Sequence, residues 1–187
     1  MANLTRKAVL TTFDEMASEM PFDKITVSAL VARTGISSNT FYYHYRDIYD
    51  LLEQYLLWHM EKALPPEPDW NQWTGLVKSL LYYLKDHRKQ VNHIMDSISR
   101  QRLERFVFTR IQPKFLTIAR AITNEGDLSE DQIRVIAKIY CYTFLGFLLE
   151  FLWNHMEDDV EVSVGLLADA FADMAESYMG RHASQIR

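Results

Sequence analysis

The densest run of side chains able to do chemistry is SSNTFYYHYR, Ser37 to Arg46. An Asn can pair with an adenine edge, Thr and Tyr can touch a thymine methyl or a phosphate, and His44 and Arg46 suit phosphate oxygens. Nothing comparable points to catalysis. The pairs His59 with Glu61, His87 with His93 and His155 with Glu157 lack the i, i+4 spacing that sets two metal ligands on one helix face. Glu157-Asp158-Asp159 has no calcium-loop spacing and sits where a helix start favours acids. Nucleotide-loop and nucleophile-elbow patterns are absent. Cys141, between Tyr140 and Tyr142, reads as packing. The expectation is therefore recognition rather than catalysis: not an enzyme, with no metal ligand and no cofactor.

Two short helices around a glycine must position that run. Thr26 is placed to cap a helix over Val27–Thr34, in which Val27, Leu30 and Val31 share a face. Gly35 ends it, because the turn needs a left-handed residue, and Ile36 folds back as the accompanying apolar contact. Ser37 or Ser38 caps the second helix, which runs to His44 or Tyr45. Phe41 and Tyr45, four apart, face the core, so Asn39, Thr40, Tyr42 and Tyr43 point the other way. Seven helical residues span roughly 10 Å and fit a major groove about 12 Å wide. TFYYHY also has strong β propensity and suits a buried strand. The glycine turn, the serine cap and an Asp47 cap on the next helix favour the helix.

This window resembles the N-terminal DNA-binding domain of the TetR/AcrR family of bacterial transcription regulators. The resemblance rests on Ile25-Thr26-Val27; on Ala32, Gly35, Ile36 and Ser37; on Thr40-Phe41-Tyr42-Tyr43-His44-Tyr45; and on Arg46 followed by Leu51-Leu52. It covers about 50 residues directly; the remainder fits the family only in length and helical character. Two positions depart. Ile48 stands where the family often carries a basic residue, which leaves one phosphate contact without its donor. Asn39 stands where a Gly or Pro is usual and offers an added base contact. The candidate DNA-contacting set is Thr26, Ser28, Ser37, Ser38, Asn39, Thr40, Tyr42, Tyr43, His44 and Arg46.

Bulk properties set the frame. The 187 residues suffice for one or two small domains, and 48% hydrophobic with 24% charged residues is ordinary for a globular chain. A single cysteine excludes an internal disulfide and suits a cytoplasmic protein. No signal peptide is visible, and no uncharged stretch of about 20 residues suggests a membrane span. The net charge of −5 removes the usual basic footprint of a nucleic-acid binder. Within the first 50 residues Arg6, Lys7, Lys24, Arg33 and Arg46 face Asp14, Glu15, Glu19, Asp23, Asp47 and Asp50. A DNA contact must then use a few placed cations and neutral donors, with a shallow salt dependence.

Along the chain the periodicity predicts an all-α fold of about nine helices: a helix-turn-helix domain over 1–47 and a helical bundle over 48–187 for ligand binding and dimerisation. A first helix covers 3–19, stopped by Pro21. A fourth covers 47–64, ended by Pro65-Pro66-Glu67-Pro68, and Asp69 caps a fifth that runs to Leu84. Residues 86–92 are a turn or a new start, 91–98 a short helix, and 101–124 a helix that Pro113 bends or splits. Residues 124–127 form a loop. Ser129 then opens a long apolar helix to about Met156, and the last helix runs from Val160 to about Arg181 with Met174 and Tyr178 on its apolar stripe.

In the family resembled, the last two helices of each subunit form a dimeric four-helix bundle, and a stripe wider than one core needs calls for a cover. The expected partners are thus a palindromic double-stranded DNA operator read by Ser38–Tyr45, a second copy of the chain, and a small-molecule effector of unknown identity. The candidate effector lining is Trp58, His59, His93, Met95, Phe144, Phe147 and Phe151, each of which equally suits plain core. The expected function is a ligand-responsive dimeric repressor. The alternative is a helical interaction protein or co-activator that keeps the fold without binding DNA.

Overall fold

The computed structural model describes residues 2–65, 72–122 and 128–183. The expected cap at Asp69, Pro66, Pro68 and the loop at 124–127 lie outside the described residues, as do the side chains of Met174 and Tyr178. All regular structure among the described residues is helical. The helices are α1 (Ala2–Glu19), α2 (Val27–Thr34), α3 (Ser38–His44), α4 (Ile48–Ala63), α5 (Trp73–Asp86), α6 (Arg88–Met95), α7 (Arg100–Phe106), α8 (Gln112–Ile122), α9 (Glu130–Trp153) and α10 (Val160–Ala183). The chain forms two compact units, residues 1–66 with 84–102 and residues 67–83 with 103–187.

The first unit is built around α1, which packs on α2, α4 and α6. Its core contains Val9, Leu10, Phe13 and Met16 of α1, Leu30 and Val31 of α2, Phe41 of α3, and Leu51, Leu52 and Tyr55 of α4. Phe13 sits at the centre with no exposed surface, edge-on to Tyr55 at 4.8 Å. Because α4 supplies three core residues and α6 supplies Ile94, packing does not divide the chain at residue 47. The short helix expected over 91–98 begins earlier and ends earlier, at Arg88–Met95. His87 alone separates it from α5, and it offers no side-chain cap that would mark the boundary in sequence.

In the second unit α8 packs along α9. The core holds Phe115, Ile118 and Ala119 of α8, Ile136, Tyr140, Phe144, Leu148 and Phe151 of α9, and Val164, Leu167 and Phe171 of α10. The single helix expected over 101–124 is divided. Residues Val107–Ile111 form a wide turn in which the Gln112 N–H reaches back five residues to the Val107 carbonyl. Pro113, which has no N–H to donate, follows directly as the second residue of α8, and the wide turn accommodates it.

Helix α9 opens as expected. Ser129 Oγ accepts from the Gln132 N–H at 3.3 Å, and Gln132 Oε1 accepts from the Ser129 N–H at 2.8 Å. It ends at Trp153 rather than Met156. His155 and Met156 adopt φ values of 52° and 59°, and the Met156 N–H closes on the Phe151 carbonyl at 2.8 Å. Burial of the Met156 side chain holds this left-handed pair in place. By length and composition alone α9 is apolar enough to cross a membrane. Here its apolar side is covered by its own unit, as expected of a core helix.

Candidate nucleic-acid interface

The geometry around α3 follows from local bonds. Thr26 Oγ1 accepts from the Ala29 N–H at 3.1 Å and starts α2. Gly35 closes α2 at φ 76°, and the Gly35 and Ile36 N–H groups both reach the Val31 carbonyl, at 2.9 and 3.1 Å. Of the two serines, Ser37 is the cap: its Oγ accepts from the Thr40 N–H at 3.0 Å and shares a hydrogen bond with the Thr40 hydroxyl at 2.8 Å. Asp47 caps α4 by accepting from the Tyr49 and Asp50 N–H groups, both at 2.8 Å.

These caps fix the roll of α3. Phe41 is fully buried and Tyr45 nearly so, which leaves Ser38, Asn39, Tyr42 and Tyr43 in solvent. Tyr43 is 83% exposed and Tyr42 58%, large values for aromatic rings on a short helix. Tyr42 stands edge-on to the buried Phe41 at 5.4 Å, so its ring has a fixed base. Thr40 and His44 are half-buried, and Ser28, Ser37 and Arg46 are exposed. Ile48 is half-buried against the core of this unit, which gives a packing reason for an apolar residue there.

The charges around α3 are engaged at home. Arg33 donates to both Glu19 oxygens, at 2.5 and 2.7 Å, and to Glu15 at 3.2 Å. Those hydrogen bonds hold Glu19 below the usual carboxylate range and raise Arg33 further. The Arg46 guanidinium lies 3.4 Å from Asp50, which also accepts from the Arg46 N–H at 2.9 Å. Arg6 donates to Gln54 at 2.9 Å, and Lys24 pairs with Asp23 at 3.2 Å. What α3 exposes fully is therefore neutral: one hydroxyl, one amide and two phenols.

The expected effector-lining residues fall in both units. Trp58, His59, His93 and Met95 belong to the first. There Lys62 lies over the Trp58 ring at 3.2 Å, His59 Nε2 is 3.3 Å from Asp14, and His93 Nδ1 is 2.8 Å from the Ala17 carbonyl. Phe144, Phe147 and Phe151 belong to the second, where Phe144 and Phe151 are buried and Phe147 and Phe151 border a groove of about 340 Å³ between α9 and α10. A second cavity, of about 320 Å³, is lined by residues outside the expected set, among them Trp73, Phe115, Tyr140 and Phe171. Four separate helices supply it, so no local spacing marks it.

Two further features bear on function. The outer sides of α9 and α10 carry Val135, Tyr142, Trp153, Val162 and Leu166, each about half exposed or more in the single chain. Cys141 is buried and its thiol is pushed up to about 11 by burial, which suppresses the reactive thiolate. Among the described residues no cluster of three or more His, Cys, Asp or Glu side chains is set to hold a metal.

Comparison with known proteins agrees with this arrangement. Residues 11–55 match the family model for bacterial regulatory proteins of the tetR family, and residues 71–173 match that for a transcriptional regulator C-terminal region. No curated protein matches by sequence. Among solved structures the chain is similar to the dihydroxyacetone kinase operon activator DhaS, with a TM-score of 0.66 and 14% identity over 92% of this chain and 96% of that one. It is also similar to a TetR transcriptional regulator from Streptococcus agalactiae 2603V, with a TM-score of 0.61 and 18% identity over 93% and 94%. A transcriptional regulator from Aquifex aeolicus VF5 aligns with a TM-score of 0.53 and 17% identity over 91% and 99%. At these identities the likeness is one of fold.

Proposed function

The chain belongs to the TetR family of transcriptional regulators, and from that premise we propose that it is a cytoplasmic, dimeric, ligand-responsive repressor without enzymatic activity. The observation that carries the reading is the presentation of Asn39, Tyr42 and Tyr43 on a helix whose opposite side is anchored by Phe41 and Tyr45. Asn39 reads an adenine edge, and the two tyrosines contact thymine methyls and phosphates. Thr26, Ser28, Ser37, Ser38, Thr40, His44 and Arg46 border that contact and position the head against the backbone. Ser37 and Thr40 act chiefly as scaffold, since their hydroxyls already bond to each other.

A second copy covers the outer sides of α9 and α10. Val135, Tyr142 and Trp153 on one helix and Val162 and Leu166 on the other supply an apolar surface of the kind that a two-fold mate buries. A dimer then sets two reading helices on a palindromic operator with half-site centres about 34 Å apart or a longer multiple. A ligand that binds one spacing better than the other shifts that equilibrium and releases DNA.

The internally paired cations support a second reading, a regulator that acts through another protein and not through DNA. The chain's likeness in fold to an operon activator is consistent with that second reading. A gel shift with the DNA upstream of the protein's own gene, at low salt, decides between them. A shifted band competed by the same fragment and not by random duplex supports the operator reading. No shift from folded, dimeric protein overturns it in favour of the interaction protein.

A further inference from the structure

The second unit carries a half-open recess at its most aromatic point. Trp73 of α5, Phe115 and Ile118 of α8, Tyr140 of α9, and Ala168 and Phe171 of α10 surround a cavity of about 320 Å³. Trp73, Thr74 and Ala168 on its rim are half-buried and Ala172 is exposed, so the space opens to solvent and a guest can enter it. Its volume lies at the lower end of the range of small-molecule sites.

The walls state what fits. The Tyr140 and Phe171 rings lie nearly parallel, 4.4 Å apart and 16° inclined, and Trp73 leans on Phe171 at 5.2 Å and 36°. The Tyr140–Phe171 stack leaves no room between its rings, so a flat guest would lie against the outer ring faces and edges by offset or edge contact. The Tyr140 hydroxyl donates to the Phe171 carbonyl at 3.2 Å, so its proton is already committed inside the protein. Thr74 brings one further hydroxyl. Among the described residues no charged side chain lines the cavity, so an ionised guest would give up water with no counter-charge to replace it. Ala168 and Ala172 keep one wall low, and a larger side chain at either position would fill the space.

We infer that this cavity binds an uncharged, planar aromatic molecule of about two fused rings, held by stacking and apolar contact and not by ion pairing. The inference rests on the ligand-responsive reading only in taking such a molecule to be the effector; binding itself is independent of DNA.

Calorimetric titration of the full chain with 2-naphthol and with 2-naphthoate at neutral pH tests it. The two probes share the ring system and differ in charge. Saturable binding of one naphthol per chain is expected, with naphthoate at least tenfold weaker. Ala168→Phe, with an unchanged or raised melting temperature, is expected to abolish naphthol binding; Ala172→Leu serves if that variant fails to fold. No saturation by naphthol, equal affinity for naphthoate, or undiminished binding in a folded cavity-filled variant would each overturn the assignment. If naphthol binds as expected but leaves operator affinity unchanged, the cavity assignment stands and the ligand-responsive reading falls.

Discussion

The Tyr55 hydroxyl donates to Asp14 Oδ1 at 2.7 Å, a charge-assisted bond that ties α4 to α1. His59 Nε2 approaches the same oxygen to 3.3 Å. Burial alone would raise the Asp14 carboxyl; the hydrogen bonds from His59 and Tyr55, with the charges of His59 and Lys62, outweigh it and hold the group below its usual 3.8. A carboxylate depressed in the folded state contributes stability that is complete above its unfolded value and is lost as pH falls through the folded one. Urea unfolding between about pH 5 and pH 3 should therefore show wild type weakening at the acid end. Asp14→Asn should be flatter over that window, and Tyr55→Phe should cost about 1.5–3 kcal/mol near neutrality. Parallel acid profiles for wild type and Asp14→Asn would remove Asp14 from the account.

The two sides of α3 should respond oppositely to truncation. Phe41→Ala is expected to lose about 3–5 kcal/mol of stability, because a fully buried ring leaves a cavity. Tyr42→Ala and Asn39→Ala should change the melt little, since surface changes away from special features stay within about 0.5 kcal/mol, yet lose preference for operator over random duplex. Undiminished discrimination by either variant would place the reading surface elsewhere.

Asp50 restrains Arg46 beside the reading helix. Asp50→Asn keeps an acceptor for the Arg46 N–H and removes the counter-charge. Binding to random duplex should strengthen at low salt, and the salt slope should steepen by about 1, as expected when one more phosphate is neutralised. An unchanged slope would mean that Arg46 does not reach the backbone.

Left-handed backbone positions give a pair of opposite stability changes. Gly35→Ala should cost about 1–2 kcal/mol, because φ 76° strains any Cβ although the space around it is open. His155→Gly should relieve strain at φ 52° and raise stability by up to about 1 kcal/mol, after the entropy loss of glycine. Thermal melts read both.

Leu166 and Val162 stand out from α10 with 67% and 60% of their surfaces exposed. Leu166→Glu is expected to convert a dimer to a monomer in sedimentation while leaving the monomer's helical signal intact. Operator affinity should fall with it, since one reading head has lost its twin. A Leu166→Glu dimer of wild-type strength would move the mating surface elsewhere.

Much of the first unit was legible because its signals are local. The caps at Thr26 and Asp47, the turn at Gly35 and the inward Phe41–Tyr45 pair are each set within four residues, as is the Ser129 cap in the second unit, and the structure shows all of them. Where the sequence offered two caps, geometry chose Ser37, whose oxygen faces the Thr40 N–H. The bounds of α6 and the wide turn at Val107–Ile111 were illegible: neither has a cap, and neighbouring packing decides them. The aromatic cavity was hidden for a related reason. Trp73, Phe115, Tyr140 and Phe171 meet only once four helices are packed, whereas Trp58 and His93, which read as lining, have contacts of their own in the first unit.

The home pairing of Arg33 and Arg46 has a cellular corollary. Regulators that glide along the chromosome do so on a film of phosphate attraction. A head with these two cations partnered should hold random duplex weakly and search mainly by repeated collision from free solution. Its hold on a promoter should then follow copy number closely, with little reserve of protein parked on neighbouring DNA.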